Sequence, residues 1–139
     1  MKNTLLFLLV LAGFIIIACN KEEEEDVQDP YTLLTAHVWV SDSLLANGFE
    51  AGGPGQLLEK FNGDVEFRTD GTGTFGEYSG TWSLSEDNTT ITIVTQELPI
   101  SIIAIIKELT TTSLKIVTGF PDTTQPGEII DIRMTFKVK

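Results

Sequence analysis

With 139 residues the chain has room for one domain and no second core. Its net charge is −11, and residues 31–139, with 14 acids and 7 bases, keep about −7 of it, so their surface repels nucleic acid and anionic head groups. One cysteine and one histidine exclude an internal disulfide and leave little material for metal or nucleophilic chemistry.

The chain opens on Met1-Lys2-Asn3, a short basic start, followed by an apolar run from Leu5 to Ala18. Fourteen residues is short for a bilayer span, which needs about 20, and suits the hydrophobic region of an export signal. The run ends at Ile16-Ile17-Ala18-Cys19, with a small residue just before the lone cysteine. This junction resembles a bacterial lipoprotein lipobox. The resemblance implies cleavage after residue 18 and lipidation of Cys19, and the acyl chains would then hold the protein on a membrane. Next come Asn20, Lys21 and the acids Glu22 to Asp26, a like-charged block that stays solvated. Residues 19–30 are thus expected to be lipidated cysteine plus disordered acidic tether, and 31–139 the folded domain. Lys21 followed by Glu22 and Glu23 also resembles the surface-export signal of Bacteroidota lipoproteins, which implies the outer membrane and its exposed face.

From residue 38 onward the period is two. Ile130, Ile132, Met134, Phe136 and Val138 alternate with Asp131, Arg133, Thr135 and Lys137, the mark of a half-buried antiparallel strand. Tyr78, Trp82 and Leu84 repeat the pattern, as do Ile91 with Ile93 and Leu114 with Ile116. Eight strands are expected, at about 37–44, 63–68, 72–76, 78–84, 90–96, 99–108, 113–119 and 128–138. Sequential strands joined by short turns predict an all-β antiparallel meander closed into an up-and-down barrel, with a β-sandwich as the alternative.

Gly71-Thr72-Gly73-Thr74-Phe75-Gly76 spells the glycine fingerprint of a phosphate-binding loop. That fingerprint needs a helix after its third glycine, and Glu77-Tyr78-Ser79-Gly80-Thr81-Trp82 reads as a strand. A hairpin accounts for the glycines instead. With Thr69-Asp70-Gly71 as a three-residue loop and Gly71 left-handed, Arg68 pairs with Thr72, Val65 with Phe75, and Gly73 stands opposite Phe67.

Two segments carry open alternatives. In Ile100-Ser101-Ile102-Ile103-Ala104-Ile105-Ile106 both faces are apolar at the centre; a helix from Pro99 is conceivable, yet the β-branched residues favour a strand, in which Ile103 and Ile105 point outward. Cover by the long connection between Leu44 and Gly63 is the favoured expectation, and a contact surface is the other. That connection, with Gly48, Gly52-Gly53-Pro54-Gly55, reads either as a mobile lid or as a disordered loop.

Together, Cys19, Trp39 in the first strand, Phe67-Arg68-Thr69-Asp70-Gly71-Thr72, Gly80-Thr81-Trp82, Glu108-Leu109-Thr110 and Leu114-Lys115-Ile116 resemble the lipocalin-like lipoproteins of the Bacteroidota. The resemblance implies a barrel or cup for a small hydrophobic ligand. His37-Val38-Trp39 stands where lipocalins proper show Gly-x-Trp, and Arg133 lies on the polar face of its strand. Trp39, Phe67, Phe75, Tyr78 and Trp82 are the candidate ligand pocket or core, since an eight-stranded barrel is just wide enough for either; mostly core is the favoured reading, with Gly73 and Gly80 leaving some room. No catalytic residue, metal site or cofactor is expected. The sequence-based reading is an envelope-anchored, non-enzymatic binder of a small hydrophobic ligand; the alternative is a protein-interaction or inhibitor module with a filled barrel.

Overall fold

A computed structural model describes residues 28–139. Cys19, Lys21, Glu22 and Glu23, with the expected signal and most of the tether, lie outside the described residues.

Ahead of the first strand stands a helix, α1, at Pro30–Ala36, which the strand pattern did not predict. Asp29 is its N-cap, its carboxylate accepting the Thr32 N–H at 3.3 Å, and Pro30 takes the first turn, where a missing N–H costs nothing. Nine strands follow: β1 Val38–Ala46, β2 Phe49–Glu50, β3 Asp64–Phe67, β4 Thr72–Phe75, β5 Tyr78–Leu84, β6 Thr90–Val94, β7 Ile102–Leu109, β8 Ser113–Pro121 and β9 Ile129–Val138. The expected eight are all present. The addition is β2, a two-residue strand that folds back on the end of β1 through Asn47-Gly48, both with positive φ.

From β3 to β9 every strand pairs antiparallel with its successor. β1 pairs with β3 through Val38–Val40 and with β9 from Trp39 to Ala46. The sheet therefore closes on itself as an eight-stranded barrel with β2 as an extra strand, and the sandwich alternative falls away. The β3–β4 hairpin has the expected register, Val65 opposite Phe75 and Phe67 opposite Gly73. Gly71 has φ +85°, and the Arg68 N–H donates to the Thr72 carbonyl at 2.9 Å. The glycine fingerprint is turn chemistry.

The two ends of the barrel differ. At one end α1 lies across the opening, with Leu33 and Leu34 buried. The Leu34 carbonyl accepts the Trp39 indole N–H at 3.1 Å, Tyr31 stacks on Trp82 at 5.5 Å, and the Tyr31 hydroxyl donates to the Thr69 carbonyl at 3.0 Å. At the opposite end, the mouth, the β2–β3 connection turns inward and seats Ala51, Leu58 and Phe61 in the core, the last two flanking and inside a 3₁₀ turn at Glu59–Phe61. The Ala51 N–H donates to the Leu44 carbonyl and the Leu58 N–H to the Ala51 carbonyl, both at 2.8 Å. Ser41, Asn62 and Gly63 join its end to β1. So this connection is a packed plug, neither a disordered loop nor an open lid. It leaves Ile103 and Ile105 uncovered at 61% and 45% exposure, against the favoured expectation. The physical reason is that its apolar residues find the open core end before they could reach a strand on the outer wall.

Gly76 lets the β4–β5 turn meet the plug. It has φ +64°, its N–H donates to the Asp64 carbonyl at 2.8 Å, and a β-carbon there would stand 2.9 Å from the Phe61 Cα. Alanine at 76 therefore adds a backbone clash to the roughly 1–2 kcal/mol cost of a left-handed L-residue. Gly127, with φ +90° and nothing within 4 Å, carries only the second cost. Urea unfolding should show Gly76→Ala losing clearly more stability than Gly127→Ala; equal losses would mean the plug is not held against this turn.

Candidate functional site

Alternation sends the aromatic set inward, and closure decides what becomes of it. Trp39, Phe67, Phe75 and Trp82 are all buried to 6% exposure or less. Phe67 meets Phe75 edge-on at 5.6 Å and Trp82 at 5.2 Å, the tilted geometry aromatic quadrupoles favour. The Trp82 indole N–H donates to the Arg68 carbonyl at 2.9 Å, so no polar handle is left pointing into the interior. The void between Phe61, Val65, Phe67, Phe75, Ile93, Ile116, Met134 and Phe136 is about 10 Å³, room for about one water. These side chains form the core, and the space left among them is too small for a ligand.

Tyr78 is the exception. It begins β5 at the mouth and lies against Phe61, ring centroids 4.7 Å apart. With Leu57, Leu58, Phe61, Leu98 and Phe120 it lines an open apolar recess of about 180 Å³. The plug supplies Leu57, Leu58 and Phe61, the β6–β7 loop Leu98, and the end of β8 Phe120. Leu57 is 55% exposed, and the Lys60 ammonium stands 6.0 Å from the Tyr78 ring centroid. Sequence reasoning found Tyr78 and missed the other five. Their only local signal was an apolar residue in a loop; what joins them is closure, which brings positions 57–61, 78, 98 and 120 to one end.

A second apolar feature lies on the outer wall. Ile103, Ile105, Val117 and Ile129 surround a shallow depression of about 320 Å³ whose floor is Gly119. A β-carbon on Gly119 would stand 2.8 Å from an Ile129 methyl, so the glycine forms the hollow. Asp131 borders it and is paired with Arg133 at 3.6 Å. Arg133 is thus engaged on the outside of the barrel, while Trp39 is covered from inside α1.

The polar groups offer no converging chemistry. His37 lies edge-on to Trp39, 6.2 Å between ring centroids, at the α1 end. Among the described residues no three His, Asp or Glu side chains gather as a metal site would require. Three of the perturbed carboxyls are turn residues, and the fourth, Glu108, sits near the end of β7 beside the β7–β8 turn. Asp70 and Asp122 are held below the usual range by the hydroxyls of Thr72 and Thr124, Asp87 by Ser85 and Thr89, and Glu108 by Ser113 with help from Lys115. Each stabilises its own turn by accepting from a residue close along the chain. No protein-family model matches the chain, and no curated protein is significantly similar to it.

Truncation separates core from recess. Phe67→Ala and Phe75→Ala should each cost about 3–5 kcal/mol in urea unfolding, whereas Leu57→Ala should stay within about 0.5 kcal/mol. A small loss at Phe75 would mean that it lines a space rather than fills one.

Proposed function

We propose that the protein is a lipid-anchored envelope protein with a lipocalin-like domain that binds rather than catalyses, and that it binds at the mouth of its barrel. The observation that carries this is an apolar recess standing open above a filled interior. Barrel mouths are a preferred place for small-molecule sites. At about 180 Å³ the recess is below the roughly 300–1,000 Å³ of drug-sized pockets, so it seats one ring or a short aliphatic group of a ligand whose remainder lies at the rim. A small hydrophobic ligand is thus held at the rim, not swallowed.

The anchoring half of the proposal rests on the sequence: the export signal, Cys19 as the lipidated residue, and Lys21-Glu22-Glu23 as the signal for the outer face of the outer membrane. The chain enters the folded domain at the α1 end, opposite the recess. Nine residues lie between Cys19 and Asp29, and the ten steps from one to the other span at most about 35 Å when extended. The anchor therefore attaches at the α1 end, and a tether of that length leaves the mouth free to face away from the membrane. The site then samples soluble or neighbouring molecules rather than its own bilayer.

A second reading, a protein-interaction or inhibitor module, draws on the exposed Ile103, Ile105 and Ile129 beside the outer depression. A neutral apolar fluorophore, N-phenyl-1-naphthylamine, separates the two. Its emission should rise with the wild type and fall at least about tenfold in apparent affinity with Leu98→Asp, as expected for a carboxylate placed unpaired in an apolar site. Loss with Ile105→Asp instead would assign binding to the outer wall. For the anchor, Cys19→Ser should abolish labelling by radioactive palmitate and release the protein from the membrane fraction; labelling that persists would remove the lipoprotein assignment.

A further inference from the structure

The described domain is strongly acidic, but its acids are not deployed alike. On the barrel wall Glu66 pairs with Arg68, Glu108 with Lys115, Asp131 with Arg133, Asp42 with Lys137 and Asp64 with Lys139. Those five pairs use five of the seven bases between residues 31 and 139. At the mouth the pattern reverses. Each segment that walls the recess carries a carboxylate beside its apolar residue: Glu59 next to Leu58, Glu77 next to Tyr78, Glu97 next to Leu98, and Asp122 two residues beyond Phe120. None of the four is ion-paired among the described residues, and Lys60 is the one base beside them.

Their hydrogen bonds fix some of these groups without neutralising them. Glu59 accepts from the Gly55 N–H at 2.9 Å and Glu97 from the Thr95 hydroxyl at 2.9 Å. Asp122 accepts from the Thr124 N–H and hydroxyl at 2.8 and 2.6 Å, which favours its ionised form. Unpaired acids also occur at the opposite end, at Asp70, Glu86 and Asp87, but there α1 has closed the opening and no apolar recess accompanies them. Among the described residues the mouth combines unpaired acids on the segments that wall it with an apolar socket. Phe49 and Leu57, 78% and 55% exposed, extend the apolar surface beyond the socket.

We infer that the mouth is a docking site for a basic, amphipathic polypeptide segment, one apolar side chain of which seats between Tyr78, Leu98 and Phe120 while flanking lysines or arginines meet Glu59, Glu77, Glu97 and Asp122. The inference rests on the mouth being the binding element and departs from the small-ligand reading in the class of molecule that binds there. Three features select a polypeptide. The socket is sized for a single side chain, the arrangement of a central anchor in a protein interface. The charge is carried by four separate segments around it, a footprint wider than a small molecule. A negative rim around a low-dielectric socket also speeds encounter with a cationic partner and rejects acidic ones.

The test uses a fluorescein-labelled amphipathic lysine–leucine peptide carrying one tryptophan, read by anisotropy against the full folded domain. Two counterparts accompany it, one with every lysine replaced by glutamate and one with the leucines and tryptophan replaced by serine. The basic amphipathic peptide should bind, and more weakly as salt rises from 10 to 150 mM, over which the Debye length shrinks from about 30 to about 8 Å. Both counterparts should bind at least about tenfold more weakly. Glu77→Gln with Glu97→Gln should weaken the basic peptide about tenfold, while Glu66→Gln with Glu108→Gln should leave it unchanged. Equal losses from the two double variants, or equal binding of the acidic peptide, would overturn the inference by showing that only net charge, or only apolarity, is read. If the peptide fails while the neutral fluorophore still binds in a Leu98-dependent way, the charge inference alone falls. If Leu98→Asp spares both probes and Ile105→Asp removes them, the mouth itself is not the site.

Discussion

The pairing of β1 with β9 is the contact on which the rest depends. Without it the inward faces of the strands would form one apolar side of an open sheet, needing a second layer to cover it. With it, Trp39, Phe67, Phe75, Trp82, Met134 and Phe136 converge on a common axis and cover one another. Eight strands enclose just enough volume for such side chains, and large residues at these positions leave about 10 Å³. Filling the barrel stabilises the fold and leaves no ligand-sized space among these side chains. Closure leaves two apolar surfaces exposed: the mouth, where the plug does not fully reach, and the outer wall around Ile103, Ile105 and Ile129.

The fold was legible where the sequence has local period and strong turn chemistry. The alternation in Ile130–Val138 fixed the face of β9, and Asp70-Gly71 set the register of the β3–β4 hairpin to the residue, because a one-residue slip would have sent Val65 and Phe75 to opposite faces. Closure was less visible, since alternation is the same in a barrel and a sandwich. Helix α1 went unread because seven residues are too few for a helical period, and its best signal, Asp29-Pro30, sits at the end of an acidic block. The β2–β3 connection was read from its glycines, yet what orders it is Leu58 and Phe61, whose burial depends on an open core end far away in sequence.

The candidate site was legible only in part, for the same reason. Trp39, Phe67, Phe75 and Trp82 were correctly grouped, and their grouping left core and pocket indistinguishable until volumes were known. Tyr78 belonged to a different place. Leu57, Leu98 and Phe120 carry no motif, being single apolar residues in unrelated loops and at a strand end; topology alone assembles them. The charge pattern is similar: the acids were countable, but which of them would meet a base depends on strand register, as in Glu108 facing Lys115 and Asp64 reaching Lys139.

The most direct test of a filled barrel that binds at its mouth is a nitrogen-15 chemical-shift map of the domain titrated with N-phenyl-1-naphthylamine. The account predicts that perturbed amides cluster at Leu57–Phe61, Glu77–Tyr78, Glu97–Leu98 and Phe120, with Phe67, Phe75 and Ile116 unmoved. Shifts centred on the inward positions of β3, β4 and β8 would show that the interior opens to a ligand and would contradict it.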